Sequence, residues 1–247
     1  MLKRLRQLFF LTLIFASCRN QFYIAKKETI QYKFTDTSNT TIDSSMAKEI
    51  IPYREQMKSQ MDEVLVYSNQ KLEKGLPESK LGNFLADACM GATVAKGMQA
   101  DFSLFNNGGL RRGLPMGQIT RGDIFELMPF ENELVILKLN GADVKKISNF
   151  IASKGGEPVS GLRLKIQDTV ATEIFIDNLP LDTTKTYRVL TSDYLANGGD
   201  SFNFFLNLPR ESVSMKVRDA IISYLQSKNK LNQSLTVELD GRITNDR

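Results

Sequence analysis

Histidine is absent from this 247-residue chain, and cysteine occurs only twice, at Cys18 and Cys89. The first absence leaves a cysteine nucleophile without its usual activating base, so a catalytic thiol is excluded. Cys89, with Leu85, Ala88 and Ala92 at helical spacing, reads instead as a buried free thiol. Residues 20–80 also lack any Asp/Glu cluster at metal-ligand spacing. Long apolar runs are missing: Leu8 to Ala16 is too short to span a bilayer. A large excess of one charge is missing too. Lys and Arg number 32 against 28 Asp and Glu, a net +4, and Lys3, Arg4 and Arg6 supply three of those charges. Without residues 1–17 the balance is 4 − 3, or about +1, which gives no basis for nucleic-acid binding.

What is present begins with that basic, then apolar, opening. Residues 1–17 read as a signal peptide. Ala16-Ser17-Cys18 resembles the cleavage and lipid-attachment site of a bacterial lipoprotein, although Phe15 stands where that pattern usually has a smaller aliphatic residue. The expectation is an exported lipoprotein of the bacterial cell envelope, held on a periplasmic or surface membrane face by lipidated Cys18. Residues 18–44, polar and rich in Thr, Ser and Asn, form the tether, with room for a strand at 29–34, and 45–247 form one domain.

Within the domain one pattern occurs twice. Phe102-Ser103-Leu104-Phe105 runs into Asn106-Asn107-Gly108-Gly109-Leu110-Arg111, and Tyr187-Arg188-Val189-Leu190 runs, through Tyr194, into Asn197-Gly198-Gly199-Asp200. Each is a short β-prone run breaking into an Asn-Gly-Gly loop, the second needing positive φ at its glycines; the first loop carries a cation and the second an anion. Between them Pro129 fixes a turn that presents Phe130.

The remaining elements follow from periodicity. Met46, Ile50, Tyr53, Met57 and Met61 predict an amphipathic helix capped by Ser44 or Ser45, with its methionines in the core and a kink at Pro52. Further helices are expected over 81–98, near 120–127, over 142–153 and over 212–227. Strands are expected over 64–67, 102–105, 133–139, 162–166, 172–176, 187–190 and 235–239. Asp123 falls in a first helical turn, a structural position. Helices and strands without regular βαβ alternation indicate an α+β fold.

Asn106-Asn107-Gly108-Gly109-Leu110-Arg111, Gly117-Gln118-Ile119-Thr120-Arg121-Gly122-Asp123, Pro129-Phe130, Leu195-Ala196-Asn197-Gly198-Gly199-Asp200 and Lys80-Leu81-Gly82-Asn83-Phe84-Leu85-Ala86-Asp87-Ala88 together resemble the C-terminal substrate-binding domain of the 5′-nucleotidase family. The resemblance implies a single domain of mixed sheets with packed helices. It also implies a clamp in which Phe130 and Tyr194 stack on a nucleobase, Asp200 accepts from ribose hydroxyls, Arg111 faces phosphate or ribose oxygens, and Asn106 contacts the base or shapes its loop. Tyr194 stands where phenylalanine is common in the family. For Asn107 and Asn197 a turn-forming role is expected, and Arg112 reads as solvated. Upstream, where the family commonly has another substrate-contacting arginine, this chain has Lys71-Leu72-Glu73-Lys74-Gly75-Leu76-Pro77-Glu78; Lys74 is a point charge and cannot reproduce a bidentate contact.

Full-length family members hydrolyse phosphate esters with a separate metallophosphoesterase domain whose two metals are held by Asp, His and Asn. A chain without histidine is therefore expected to be inactive alone and to carry no cofactor, with divalent metals on a separate metallophosphatase chain. The expected ligand is a nucleoside or nucleotide, and the expected role is recognition in nucleotide catabolism. The alternatives are a non-catalytic nucleoside- or nucleotide-sugar-binding lipoprotein and a scaffold whose pocket has decayed.

Overall fold

The computed structural model describes residues 26–30 and 44–246. The chain divides into two compact units, Met1–Ala47 and Lys48–Arg247. Residues 1–17, including the signal peptide, and Cys18 lie outside the described residues, as do positions 31–43 of the tether. In the first unit residues 26–30 are exposed and without regular structure, so Thr29 and Ile30 begin no strand.

The second unit is organised by a five-stranded sheet in the order β10-β4-β9-β2-β5. These strands are β2 (Phe102–Leu104), β4 (Glu133–Asn140), β5 (Val159–Ser160), β9 (Thr186–Ser192) and β10 (Arg210–Lys216). Successive side chains of a strand face opposite ways, and β4 uses both faces. Leu134 and Ile136 enter one apolar core, while Val135, Leu137 and Leu139 enter another. The first core is closed by α2 (Lys80–Ala95), α3 (Arg121–Leu127), α6 (Val217–Lys230) and the antiparallel pair β1 (Val64–Ser68) and β3 (Gly117–Thr120). The second is closed by α4 (Gly141–Ser153) and a four-stranded sheet. That sheet comprises β6 (Leu162–Gln167), β7 (Val170–Ile176), β8 (Leu179–Pro180) and β11 (Ile243–Asn245), in the order β11-β6-β7-β8. Each fully buried Leu, Ile or Phe contributes roughly 1.5–3 kcal/mol, so the doubly covered sheet anchors the stability of the second unit. This is the α+β arrangement of mixed sheets and packed helices expected from the sequence.

Local signals set the helix starts. Ser79 accepts from Gly82 N–H at 3.0 Å to begin α2, and Asn140 accepts from Asp143 N–H at 2.8 Å to begin α4. Thr120 and Asp123 form a reciprocal capping box on α3, the structural role expected for Asp123. Cys89 is fully buried in α2, and burial pushes its thiol far up from the ordinary range.

Several expectations are corrected. Helix α1 (Ser44–Met61) is continuous through Pro52 and already helical at Ser44, and Ile50, Tyr53 and Met57 on its stripe are exposed rather than core. The helix expected over 212–227 begins only at Val217, because Arg210 to Ser212 pair with β4 as a strand. Leu235 makes a single bridge to Ser68, and the last strand is instead β11, paired parallel to β6.

Candidate functional site

Strands β2 and β9 are parallel neighbours, Phe102 opposite Val189 and Ser103 opposite Leu190. Parallel strands end at the same edge of a sheet, so the loops that follow them must emerge side by side. After β2 the chain passes Asn106 into a 3₁₀ turn at Asn107–Gly109. After β9 it enters α5 (Asp193–Ala196), a single turn carrying Tyr194, and then a 3₁₀ turn at Gly199–Ser201. The Thr191 hydroxyl donates to the Leu104 carbonyl at 2.8 Å and ties the two strand ends.

The two loops meet at Asp200. Its Oδ2 accepts from Asn106 Nδ2 at 2.6 Å, and its Oδ1 accepts from the Tyr194 hydroxyl at 2.8 Å. The Asp200 N–H donates back to that hydroxyl at 3.3 Å. An ionised carboxylate offers about four acceptor positions, so two remain for an incoming donor pair. The Asp200 carboxylate pushes the Tyr194 phenol up from its ordinary range, because a phenolate would lose this bond and stand beside a like charge.

The sequence pattern places positive φ at Gly198 and Gly199 of the second loop. Gly198 has φ 84°, but at the second loop's tip the left-handed residues are Asp200 (φ 49°) and Ser201 (φ 68°). Gly199 serves another purpose: a Cβ there would lie 2.5 Å from the Tyr194 ring, so its bare backbone is the seat of that ring.

The third segment comes from the α3–β4 connection. Arg111 N–H donates to Leu127 O at 2.9 Å, and Glu133 N–H donates to Asp193 Oδ1 at 3.1 Å, which fastens Phe130 between the two loops. The result is a cleft of about 280 Å³ lined by Asn106, Arg111, Phe130, Asn132, Tyr194 and Asp200. All five residues singled out from the sequence thus share one cavity. Among the described residues Phe130 and Tyr194 form no direct ring pair; the Arg111 guanidinium lies 5.2 Å from the Phe130 ring centroid. The arrangement offers two aromatic faces, a cation and a carboxylate with spare acceptor positions.

Two of the neighbouring residues do more than the turn-forming role expected of them, and Arg112 is solvated as expected. Asn107 and Asn197 have negative φ and act as hydrogen-bonding groups. Asn107 Nδ2 donates to Gly156 O at 3.2 Å, and Asn197 Oδ1 accepts from Arg210 at 2.9 Å. Arg112 pairs with Glu126 on the surface. Lys74 donates to Leu110 O at 3.4 Å and lines a second, open cleft of about 490 Å³ on the other side of Gly108, together with Lys154 and Glu157.

Glu157 was not singled out by the sequence. It is nearly buried and accepts the Asn107 N–H at 2.7 Å, which holds the first loop from behind. The signal was a lone acid between Gly156 and the apolar Pro158-Val159. Burial pushes its carboxyl up, against the opposing pull of the Asn107 N–H and Lys154. The folded state therefore holds this proton more tightly than the unfolded state, and its contribution to stability grows as pH falls from the raised value toward 4.5. Glu157→Gln, which cannot titrate, is expected to lack this gain: its melting temperature relative to the native protein should fall as pH is lowered from 8 to 5. A constant offset in melting temperature between the two would contradict the assignment.

A cleft at the parallel edge of a doubly covered mixed sheet is the class of site these residues define. Residues 60–207 match the family model described as 5′-nucleotidase, C-terminal domain, and the chain belongs to that family. It is 29% identical over 172 residues to a 5′-nucleotidase of Vibrio parahaemolyticus, covering 66% of this chain and 30% of the relative. It is likewise 29% identical over 182 residues to cell wall protein Lmo0130 of Listeria monocytogenes, covering 67% and 23%. The crystal structure of a 5′-nucleotidase precursor from Thermus thermophilus superposes with a TM-score of 0.69 at 27% identity, over 81% of this chain and 43% of that one. The chain thus spans a third or less of the length of these curated relatives. Among the described residues no group of three or more Cys, Asp or Glu side chains is placed to hold a metal ion, and no helix is long and apolar enough to cross a membrane.

Proposed function

We propose that this chain is the nucleotide-recognition unit of a phosphate-ester hydrolase whose metals sit on a separate metallophosphatase chain. The observation that carries the reading is the Asp200 carboxylate, held by Asn106 and Tyr194 with two acceptor positions spare, in one cleft with the Phe130 ring and the Arg111 guanidinium. A ribose presents two adjacent hydroxyl donors of the kind a carboxylate accepts. A nucleobase presents a flat face for Phe130 or Tyr194, each stack worth roughly 1–3 kcal/mol. A phosphate presents oxygens that match the planar fork of Arg111. These residues bind and orient. The side chains described do not fit a pair of catalytic metal ions, so no hydrolytic step is assigned to them. Phe204 and Leu206, both partly exposed directly after the Gly199–Ser201 turn, supply apolar surface beside the cleft for such a partner. Attachment to the cell envelope through lipidated Cys18 belongs to the same proposal, and the naming of one relative as a cell wall protein supports that placement.

A second reading, a binding lipoprotein for extended ligands such as nucleotide sugars, is favoured by the adjoining cleft, which shares Gly108 with the first and carries Lys74 and Lys154. Calorimetric titration of the purified chain with adenosine and AMP, beside a phosphate-release assay with added Mn²⁺ or Zn²⁺, tests the assignment. Binding without release is the expected result. Release that disappears in Arg111→Ala or Asp200→Ala would overturn it.

A further inference from the structure

Behind the Phe130 loop lies a charge that ligand recognition does not use. Arg218, the second residue of α6, is 6% exposed. It shares a helical face with Ile221, Ile222 and Leu225, all buried, where an arginine is unfavourable unless its donors are met. Its guanidinium lies 4.0 Å from the Phe125 ring centroid. Nη1 donates to Phe130 O at 3.3 Å and Met128 O at 3.4 Å, and Nη2 pairs with the Glu131 carboxylate. Lys216 pairs with the other oxygen of that carboxylate, and Val217 N–H donates to Asn132 O at 2.9 Å. Apart from Pro129, each residue from Met128 to Asn132 is therefore gripped by Lys216, Val217 or Arg218.

The core gains nothing polar from this arginine. Among the described residues its Nε is buried without a partner. Leucine or methionine would fill the same space without leaving a donor unmet, and buried ion pairs are commonly replaceable by apolar residues with no loss of stability. What such a residue could not do is hold two carbonyls and a carboxylate in one plane. A lysine could not do so either, because its ammonium is a single point rather than a fork.

We propose that Arg218 is a positioning residue, fixing the backbone of Met128 to Asn132 so that the Phe130 ring stands as a wall of the cleft. Its consequence for ligand rests on the nucleoside reading; its hold on the loop does not.

The chain contains no tryptophan, so Phe130→Trp supplies a single tryptophan at the wall itself, excited selectively over the tyrosines. Adding Arg218→Met to that reporter is expected to raise the acrylamide quenching constant at least twofold and shift emission to the red, with the far-UV spectrum of the fold retained. In the native background Arg218→Met should weaken adenosine binding about fivefold. Arg218→Lys, which keeps the charge but not the fork, should change both readouts in the same direction and serves where the methionine variant fails to fold. Unchanged quenching in the folded variants would overturn the proposal. So would raised quenching with unaltered adenosine affinity, since the loop would then be held without consequence for the cleft. If the native chain binds no adenosine while the reporter responds, the nucleoside reading falls and the hold of Arg218 on the loop stands.

Discussion

Asp200→Gly is expected to weaken adenosine binding at least ~30-fold, about 2 kcal/mol, with little change in the fold. Glycine is the informative replacement because Asp200 sits at φ 49°, where alanine would add backbone strain of its own. The substitution removes two things together. It deletes the acceptor pair offered to a ribose, and it releases Asn106 and Tyr194, whose side chains are aimed by their bonds to Oδ2 and Oδ1. Asp200→Asn separates these effects. Its amide oxygen can still accept from Asn106, and its amide nitrogen can donate to the tyrosine hydroxyl, so the loops stay joined while one ligand acceptor is lost. The asparagine variant should therefore bind more tightly than the glycine variant and more weakly than the native chain. Equal affinity for adenosine in all three proteins, measured by calorimetry, would show that Asp200 does not meet the ligand.

Four of the five site residues visible in the sequence share a property: each stands close to a glycine or proline that sets the local turn. Asn106 and Arg111 flank Gly108-Gly109, Asp200 follows Gly198-Gly199, and Phe130 follows Pro129. Turn chemistry acts over a few residues, so short-range patterns report it. Glu157 and Arg218 escape this kind of reading because they act over 50 and 88 residues, from behind the loops they hold. Their trace is a lone charge in an apolar setting, which does not say which backbone it serves. The same distinction explains the fold. The unbroken apolar run Leu134-Val135-Ile136-Leu137 in β4 is local and marks a strand with two buried faces, whereas the parallel pairing of β2 with β9, which brings the loops together, is a long-range choice. Helical periodicity alone starts α6 too early because Val213 fits both periods: it lies four residues before Val217 on a helical face, yet it is buried in a strand whose register breaks between Ser212 and Lys216. The stripe on α1 follows helical spacing and so gives the element, but periodicity carries no information about what covers it; Ile50, Tyr53 and Met57 are exposed.

Gly199→Ala tests the geometry of the clamp through one methyl group. A Cβ at this position would lie 2.5 Å from Cε1 and Cζ of Tyr194 and 2.6 Å from Cδ1, too close for any carbon contact, so the ring must leave. The ring is 42% exposed and can swing into solvent, which makes the change inexpensive for the fold. It is not inexpensive for the cleft, because the displaced ring gives up its hydroxyl bond to Asp200 and its face toward a base. A loss of about tenfold in adenosine affinity is expected, within the roughly 1–3 kcal/mol of an aromatic stack. Two further readouts identify the ring as the cause. The Tyr194 phenol, held up from its ordinary range by Asp200, should ionise at lower pH in the Gly199→Ala protein than in the native one, seen as earlier phenolate absorbance. The double variant Tyr194→Ala/Gly199→Ala should bind adenosine no more weakly than Tyr194→Ala alone, since the methyl then has no ring to displace. Additive losses in that cycle would mean that Gly199 meets the ligand directly, and the ring's seat on its backbone would then be incidental to binding.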